Sequence, residues 1–230
     1  FLRFIRDHPE EALLSDNPVL EPDRRVAAAR LYAAGFPYVA LAARGQVLGG
    51  AIASGQMHPC TAAFITPTSM PRHEVCVNVT RVSGVDCREL GPASQAYYQL
   101  HAQVARSAVF LRTQVPGFAA ASITAILPRL GIRESGRIVG DYGLTQDDAV
   151  EVRRFPDVVA RGCHHVDIHG SGTAQVRIPI RDGLAYDIPY RCLLPRGLAN
   201  VIAAGRCLSS DRGANGSARV MGAGPPPAPA

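Results

Sequence analysis

The longest regular pattern of apolar positions follows Pro92 and has the spacing of an α-helix. Its apolar residues recur at intervals of three and four positions: Tyr97, Leu100, Val104, Ala108, Leu111 and Val115. Pro116 and Gly117 come directly after the pattern and predict its end. Because a stripe of this kind normally packs into a core, we assign it no chemistry.

Two further helices are predicted from residues that can cap their N-termini. Asp23 is suited to cap a helix running to about Ala34, with Gly35 in place for a left-handed stop. Thr145 with Asp148 three positions later has the spacing of a capping box and predicts a helix to about residue 153.

Strands are predicted where apolar residues alternate along the chain or form short runs between turns. Val75, Val77 and Val79 alternate with smaller or polar residues, which is typical of a half-buried strand. The other predicted strands are residues 38–43, 46–53, 137–142, 163–169, 174–180 and 184–188. Residues 56–72 are rich in Pro, Thr and Ser without a period, and an extended loop is predicted there.

The C-terminal part has a different pattern. Residues 200–204 form a short apolar run that predicts a buried strand leading into Gly205, and the glycine-rich stretch 213–222 predicts the start of a last helix. A strand, a glycine turn and a helix in this order are typical of a nucleotide-binding sheet. Three consecutive prolines follow, so residues 223–230 are expected to be disordered.

These elements indicate a mixed fold of class α+β or α/β with two domains. Residues 1–199 are predicted to form a mainly antiparallel domain with helices, and residues 200–222 the last element of a second domain. The chain begins at Phe1 without a methionine, so we expect a piece of a longer protein.

Composition excludes several classes of function. All 24 basic residues are arginine, so no lysine is present for a Schiff base or for a P-loop. The net charge of +5 is spread along the chain without a basic block, and nucleic acid is not an expected partner. No run of about 18 apolar residues exists, so no membrane association is expected.

The six cysteines contain no C-x-x-C pair, which argues against a zinc ribbon or a local iron–sulfur ligand set. Scattered cysteines of this kind are typical of reduced thiols, and a cytoplasmic location is expected. The predicted partner is a small-molecule substrate, and a homo-oligomer is left open.

Two segments contain candidate binding or catalytic residues. At the turn after residue 204, Gly205 lets the backbone approach a diphosphate or a ribityl chain, and Arg206 could pair with a phosphate. His165, Asp167 and His169 alternate, so their side chains point to one face of a strand. A zinc-dependent hydrolase using these three residues is an alternative, although residues two apart lie about 7 Å from each other.

Six motifs occur in a fixed order along the chain: residues 131–142, 144–148, 167–169, 186–195, 203–209 and 216–221. This series resembles the C-terminal part of the FAD-dependent oxidoreductase family related to heterodisulfide-reductase-type flavoproteins. Residues 78–82 and 116–118 also resemble that family, and the resemblance covers about residues 75–221. It departs from the family at Gly136, where a second arginine is usual, and at the prolines after residue 224.

The resemblance implies a Rossmann-like FAD domain with an inserted, mainly antiparallel substrate domain. The chain would then supply the substrate domain with the last strand and helix start of the FAD domain. The G-x-G-x-x-G turn for the ADP half of FAD is missing from the sequence. The implied cofactor contacts lie at two places. Gly205 and Arg206 would face the ribityl–diphosphate part, and the helix start beside the flavin ring would carry Gly216, Ser217, Arg219 and Val220.

Asp167 and His169 match the family's Asp-Ile-His motif, whereas His165 does not. We hypothesise that His169 is a proton donor or acceptor, with Asp167 beside it, and that Arg133 anchors an anionic group of the substrate. A structural ion pair between Asp167 and Arg133, with His169 bonded to backbone, is the alternative. No metal site is predicted in the preferred interpretation, and an inactive truncated domain remains a further alternative.

Overall fold

The computed structural model describes residues 1–14, 23–35, 39–170 and 172–220. The described residues fall into two compact units. The first contains those in the ranges 1–85, 91–129 and 171–173, and the second contains those in the ranges 86–90, 130–170 and 174–230. The predicted division into a substrate domain (residues 1–199) and the last element of an FAD domain (residues 200–222) stays a prediction. The predicted disordered tail, residues 223–230, lies outside the described residues.

The first unit is built on one antiparallel sheet with the strand order β1-β2-β3-β4. Its strands are β1 (Ala12–Leu14), β2 (Val39–Ala42), β3 (Ala62–Ser69) and β4 (Glu74–Asn78). Its helices are α1 (Leu2–Asp7), α2 (Arg24–Ala33), α3 (Gln46–Ala53) and α4 (Leu90–Gln114), the last beginning one residue outside the unit. Ile5, Leu41, Leu48, Ile65 and Phe110 are fully or almost fully buried and form the centre of its core.

Helix α3 replaces the strand predicted at residues 46–53, so that prediction was wrong. The physical reason is a cap supplied from a distant segment. The buried carboxylate of Glu11 accepts hydrogen bonds from the backbone N–H groups of Gln46 and Val47, at 3.0 and 2.9 Å. It therefore satisfies two donors that a helix start leaves unpaired. Gly45 permits this contact, because a Cβ there would lie 2.5 Å from a carboxylate oxygen of Glu11.

The loop predicted at residues 56–72 is wrong over its central part, because strand β3 occupies residues 62–69. This strand pairs with β2 on one side and β4 on the other, so its backbone groups are bonded although Thr and Pro interrupt its apolar pattern. A register shift between Pro67 and Ser69 accommodates the proline, which has no N–H to donate. Helix α2 with its Asp23 cap, strand β4 and helix α4 are confirmed.

The second unit contains two short antiparallel pairs and two helices. Strand β5 (Val158–Gly162) pairs with β8 (Tyr186–Pro189), and β6 (Val166–His169) pairs with β7 (Gln175–Ile178). Helix α5 (Gln146–Val150) begins with the predicted capping box, in which Thr145 and Asp148 each accept a hydrogen bond from the other's backbone N–H. Helix α6 (Arg212–Ala218) packs against β6.

Two strand predictions in this unit were wrong. Residues 137–142 make one isolated bridge, between Gly140 and Pro195, and no strand. Residues 200–204, the predicted last strand, are irregular and mostly exposed, with Ile202 58% exposed. An apolar run becomes a strand only where a neighbouring strand takes up its backbone bonds, and none among the described residues pairs with this segment.

Each unit contains helices and antiparallel strand pairs, as the α+β prediction requires. A Rossmann-like domain remains a prediction. Among the described helices, none is long and apolar enough to cross a membrane.

Candidate active site

The candidate site is built on the β6–β7 hairpin of the second unit. The register of this pair sets Asp167 opposite Arg177 and His169 opposite Gln175. Because side chains two apart on a strand share a face, and opposite residues on paired strands are neighbours, all four side chains lie on one face of the hairpin. The alternation predicted for Asp167 and His169 is therefore confirmed as geometry.

The two oxygens of the Asp167 carboxylate have different partners. His169 donates its Nε2–H to Oδ2 at 3.0 Å, and the side-chain amide of Gln175 donates to Oδ1 at 2.5 Å. Burial of Asp167 opposes its ionisation, but these two hydrogen bonds and the positive charge of Arg177 outweigh that effect. The pKa of Asp167 consequently lies well below its ordinary value. The carboxylate is ionised at neutral pH and fixes which nitrogen of His169 carries the proton.

Three arginines surround the same carboxylate at longer range. Arg133 Nη1 lies 3.8 Å and Arg219 Nη2 lies 3.6 Å from Oδ2, while Arg177 Nε lies 3.8 Å from Oδ1. Arg219 also donates to the backbone oxygen of Asp167 at 3.2 Å. Burial and the nearby charge of Arg133 lower the pKa of Arg219. The site is thus a carboxylate–histidine pair with an excess of guanidinium groups around it.

The three predicted catalytic residues Arg133, Asp167 and His169 therefore lie together, and their roles stay predictions. The structural alternative is met in one part, since Arg133 and Asp167 form an ion pair. His169 donates to the carboxylate of Asp167. Sequence reasoning missed Gln175 and Arg177. Counting outward from the predicted turn at residues 170–172 would set residue 173 opposite His169, whereas the observed register sets Gln175 there and Arg177 opposite Asp167.

His165 does not join this cluster of groups. Its ring stacks on His164 with the ring centroids 4.1 Å apart. Burial, then the neighbouring His164 and Arg177, lower its pKa. Within the described ranges, no group of three or more His, Cys, Asp or Glu side chains is placed to hold a metal ion.

The predicted turn at Gly205 and Arg206 is open. Gly205 has a φ of +84°, a conformation that favours glycine, and a Cβ added there would meet nothing within 4 Å. Arg206 is exposed and donates from Nη1 to the backbone oxygen of Ile132 at 2.8 Å. This turn has room for a ligand to approach its backbone, as the FAD prediction requires.

Gly216 and Ser217 have a different environment, because they lie buried in the body of α6. A Cβ on Gly216 would lie 3.2 Å from the backbone oxygen of Asp167, so this glycine allows the helix to pack closely on β6. The Ser217 hydroxyl donates to the backbone oxygen of His164 at 2.5 Å and accepts from the Tyr186 hydroxyl at 2.7 Å. The single proton of the Ser217 hydroxyl is therefore used inside the protein, and the cofactor contacts predicted for Gly216 and Ser217 stay predictions.

The prediction that residues 216–220 form a helix start was wrong. Helix α6 begins four residues earlier, Arg219 is its C-terminal cap residue and Val220 follows it. The true N-terminus is capped by Asp211, whose carboxylate accepts from the backbone N–H of Ala214 at 2.7 Å and of Gln146 at 2.9 Å. Asp211 therefore supplies the negative charge at the helix N-terminus, where an anionic flavin edge was expected. The Gly205 turn has an open approach, and the FAD contacts predicted for Gly205, Arg206, Gly216, Ser217, Arg219 and Val220 stay predictions.

Residues 22–224 match the model of a family described as FAD dependent oxidoreductase. The matched region includes all residues of the candidate site and most of both compact units. No curated protein matches the chain, and no solved structure matches it.

Proposed function

The chain belongs to the FAD dependent oxidoreductase family, and we propose that it is the substrate-domain portion of a flavin oxidoreductase acting on a small molecule. The match across residues 22–224 is the observation that carries this proposal. The finer placement among relatives of heterodisulfide-reductase-type flavoproteins, and the position of the chain in the C-terminal part of such a protein, belong to the same proposal. Redox chemistry in this family is the cofactor's, and the protein contributes binding, orientation and proton transfer.

In this proposal Asp167 and His169 act as the proton-transfer pair. With Nε2–H donated to the ionised carboxylate, the neutral ring of His169 carries its lone pair at Nδ1. A proton taken up at Nδ1 is stabilised by the carboxylate 3.0 Å from the other nitrogen. Gln175 holds the second carboxylate oxygen, so the carboxylate cannot rotate away from the histidine without losing a hydrogen bond.

Arg133 is the proposed anchor for an anionic group of the substrate. Its side chain is 45% exposed, and its Nη1 lies 3.8 Å from Oδ2 of Asp167. A guanidinium at this distance still has donors to offer, because direct N–H···O bonds are about 2.7–3.2 Å long.

The cofactor assignment is tested with the complete natural protein that contains this chain. We expect the gene upstream of Phe1 to encode a strand followed by G-x-G-x-x-G, and the purified protein to show flavin absorbance near 450 nm. Arg206→Gln is expected to weaken FAD binding, whereas Arg181→Gln, an exposed residue paired with Glu151, serves as the matched control. A colourless protein that does not take up added FAD, with no such upstream turn, would refute the proposal.

The proton-transfer role is tested by the rate at which bound flavin is bleached by a panel of hydroxy acids, dicarboxylates and thiols. His169→Gln is expected to lower this rate about 10²–10⁴-fold, the usual contribution of a general acid or base, without changing FAD affinity. Asp167→Asn should lower it by a smaller factor and shift its pH profile. An unchanged rate in His169→Gln, with a substrate that bleaches the wild type, rules out the assigned role.

A further inference from the structure

We propose that Arg133, Arg177 and Arg219, here called the arginine triad, together bind an oxyanion ligand that carries two negative charges. A dicarboxylate and a phosphate monoester share this chemistry. The inference deepens the proposed function, because naming the ligand as the substrate rests on it, whereas binding of the anion can be measured independently of flavin.

The first observation is that the triad meets at one place. Arg133 Nη1 and Arg219 Nη2 both lie within 4 Å of the same oxygen of Asp167, at 3.8 and 3.6 Å. Arg177 approaches the other oxygen of that carboxylate, at 3.8 Å. The mutual repulsion of Arg133 and Arg219 contributes, after burial, to the lowered pKa of Arg219, which is consistent with two cations held close together.

The second observation is that local charge is not balanced. Three guanidinium groups face one carboxylate, which leaves two positive charges when His169 is neutral. The next carboxylate, Glu134, already pairs with two other arginines, Arg137 at 3.0 Å and Arg212 at 3.6 Å. A ligand with two negative charges would neutralise both of these positive charges, whereas a singly charged ligand would neutralise only one of them.

The third observation is the length of the ion pairs, for which the same unit contains a comparison. At Asp187, a buried carboxylate, Arg154 and Arg161 donate directly at 2.8 and 2.9 Å, and the backbone N–H of Phe155 adds a third bond at 3.1 Å. That arrangement is saturated and structural. None of the triad's guanidinium groups lies within hydrogen-bond distance of the Asp167 carboxylate, so their donors toward that carboxylate are not used up by it.

Exposure shows how a ligand could reach these donors. The side chains of Arg133 and Arg177 are 45% and 42% exposed, while that of Arg219 is 16% exposed. An oxyanion entering from solvent would therefore meet two accessible guanidinium groups and one that is largely shielded from water. Charge-assisted bonds gain most from such a shielded donor, since water competes less for it.

The experiment measures binding of malonate, inorganic phosphate, acetate and ADP to the 230-residue chain by isothermal titration calorimetry at constant ionic strength. We expect malonate or phosphate to bind at least about tenfold more tightly than acetate. Arg133→Gln and Arg177→Gln are expected to weaken that binding about tenfold each, because each removes a charged donor. Arg181→Gln, also an exposed arginine of this unit, should leave binding unchanged.

Each outcome decides. Tighter malonate binding assigns a dicarboxylate and tighter phosphate binding a phosphate monoester. Equal binding of acetate and the dianions, or wild-type affinity in both triad variants, overturns the proposal. ADP binding far more tightly than both small dianions, with the same dependence on Arg133, would assign the triad to a nucleotide diphosphate and also overturn it. Malonate binding in the triad, together with a complete natural protein that takes up no FAD, would refute the proposed function alone.

Discussion

Replacing Ser217 by alanine is expected to destabilise the protein, because this hydroxyl connects two buried parts of the second unit. Its proton goes to the backbone oxygen of His164 at 2.5 Å, and its oxygen accepts the Tyr186 hydroxyl at 2.7 Å. Tyr186 is fully buried, so its hydroxyl has no water to turn to. Ser217→Ala therefore removes two hydrogen bonds and leaves a buried donor without a partner.

The expected loss of unfolding free energy depends on whether a variant only removes a hydrogen bond or also leaves a buried polar group without a partner. A buried polar group left unpaired costs about 1–3 kcal/mol, and His164 is partly exposed, so Ser217→Ala should lower the free energy of unfolding by about 2–3 kcal/mol. Tyr186→Phe removes one partner but leaves the bond from Ser217 to His164 in place, and should cost about 1 kcal/mol. In the double variant the unpaired phenol no longer exists, so the two losses should not add.

The assay is equilibrium urea unfolding followed by far-UV circular dichroism for the wild type, both single variants and the double variant. Tyr98→Phe serves as the matched control, because that tyrosine is 74% exposed and should change the free energy by less than about 0.5 kcal/mol. If Ser217 were a cofactor contact and not a structural one, Ser217→Ala would leave the unfolding free energy near wild type and lower FAD affinity only. That result would refute the structural assignment.

Three further predictions concern the rest of the molecule. Because the pKa of Asp167 is lowered in the folded state, its contribution to stability is present above about pH 4 and is lost as the pH falls. The melting temperature should therefore fall less steeply with decreasing pH in Asp167→Asn than in the wild type. The same acid dependence in both proteins would contradict this. Burial raises the pKa of the Cys60 and Cys192 thiols to about 11. Iodoacetamide at pH 8 should therefore label them far more slowly than the exposed Cys76, as measured by mass spectrometry. Equal labelling rates in the folded protein would contradict this prediction. Gly216→Ala should destabilise the chain by about 1–3 kcal/mol in urea unfolding, because its methyl group meets the β6 backbone; a neutral effect would show that α6 can move away without cost.

Sequence patterns predicted those helices whose start signals are local. The caps of α2 and α5, supplied by Asp23 and by Thr145 with Asp148, lie beside the helices that they begin. Helix α3 was not predictable in this way, since its cap is Glu11, which lies 35 positions before Gln46. A cap from another part of the chain exists only once the tertiary structure has formed, and propensity within a short window contains no information about it.

The same limit applies to the strands. Apolar content at residues 200–204 predicted a buried strand, but the described structure pairs no strand with it and leaves Val201 and Ile202 exposed. Strand β3 shows the reverse case, because Thr and Pro weaken its pattern while pairing with β2 and β4 on both sides holds it extended. Pairing decides whether a segment is a strand, and a partner is not visible in the segment's own sequence.

For the site, alternation alone placed Asp167 and His169 on one face, and hairpin register extends that face to Gln175 and Arg177. Arg133 and Arg219 come from segments far from the hairpin in sequence, so no local pattern could show that they meet at Asp167. Arg133 was nominated through its place in the family's motifs. Arg219 was predicted to lie at a helix start, whereas it is the C-terminal cap residue of α6, and its predicted contact with a flavin ring stays a prediction.

The corrected position of α6 explains why Arg219 belongs to the site. Gly216 lacks a side chain where the helix crosses the backbone of Asp167, so the helix lies close to β6. Arg219 follows three positions later, on the same face of the helix, and its guanidinium therefore reaches both the backbone oxygen and the carboxylate of Asp167. A residue expected to bind a cofactor thus positions an arginine of the triad. It follows that Gly216→Ala should weaken malonate binding as well as stability, whereas Ser217→Ala, which keeps the glycine contact, should affect stability more than binding.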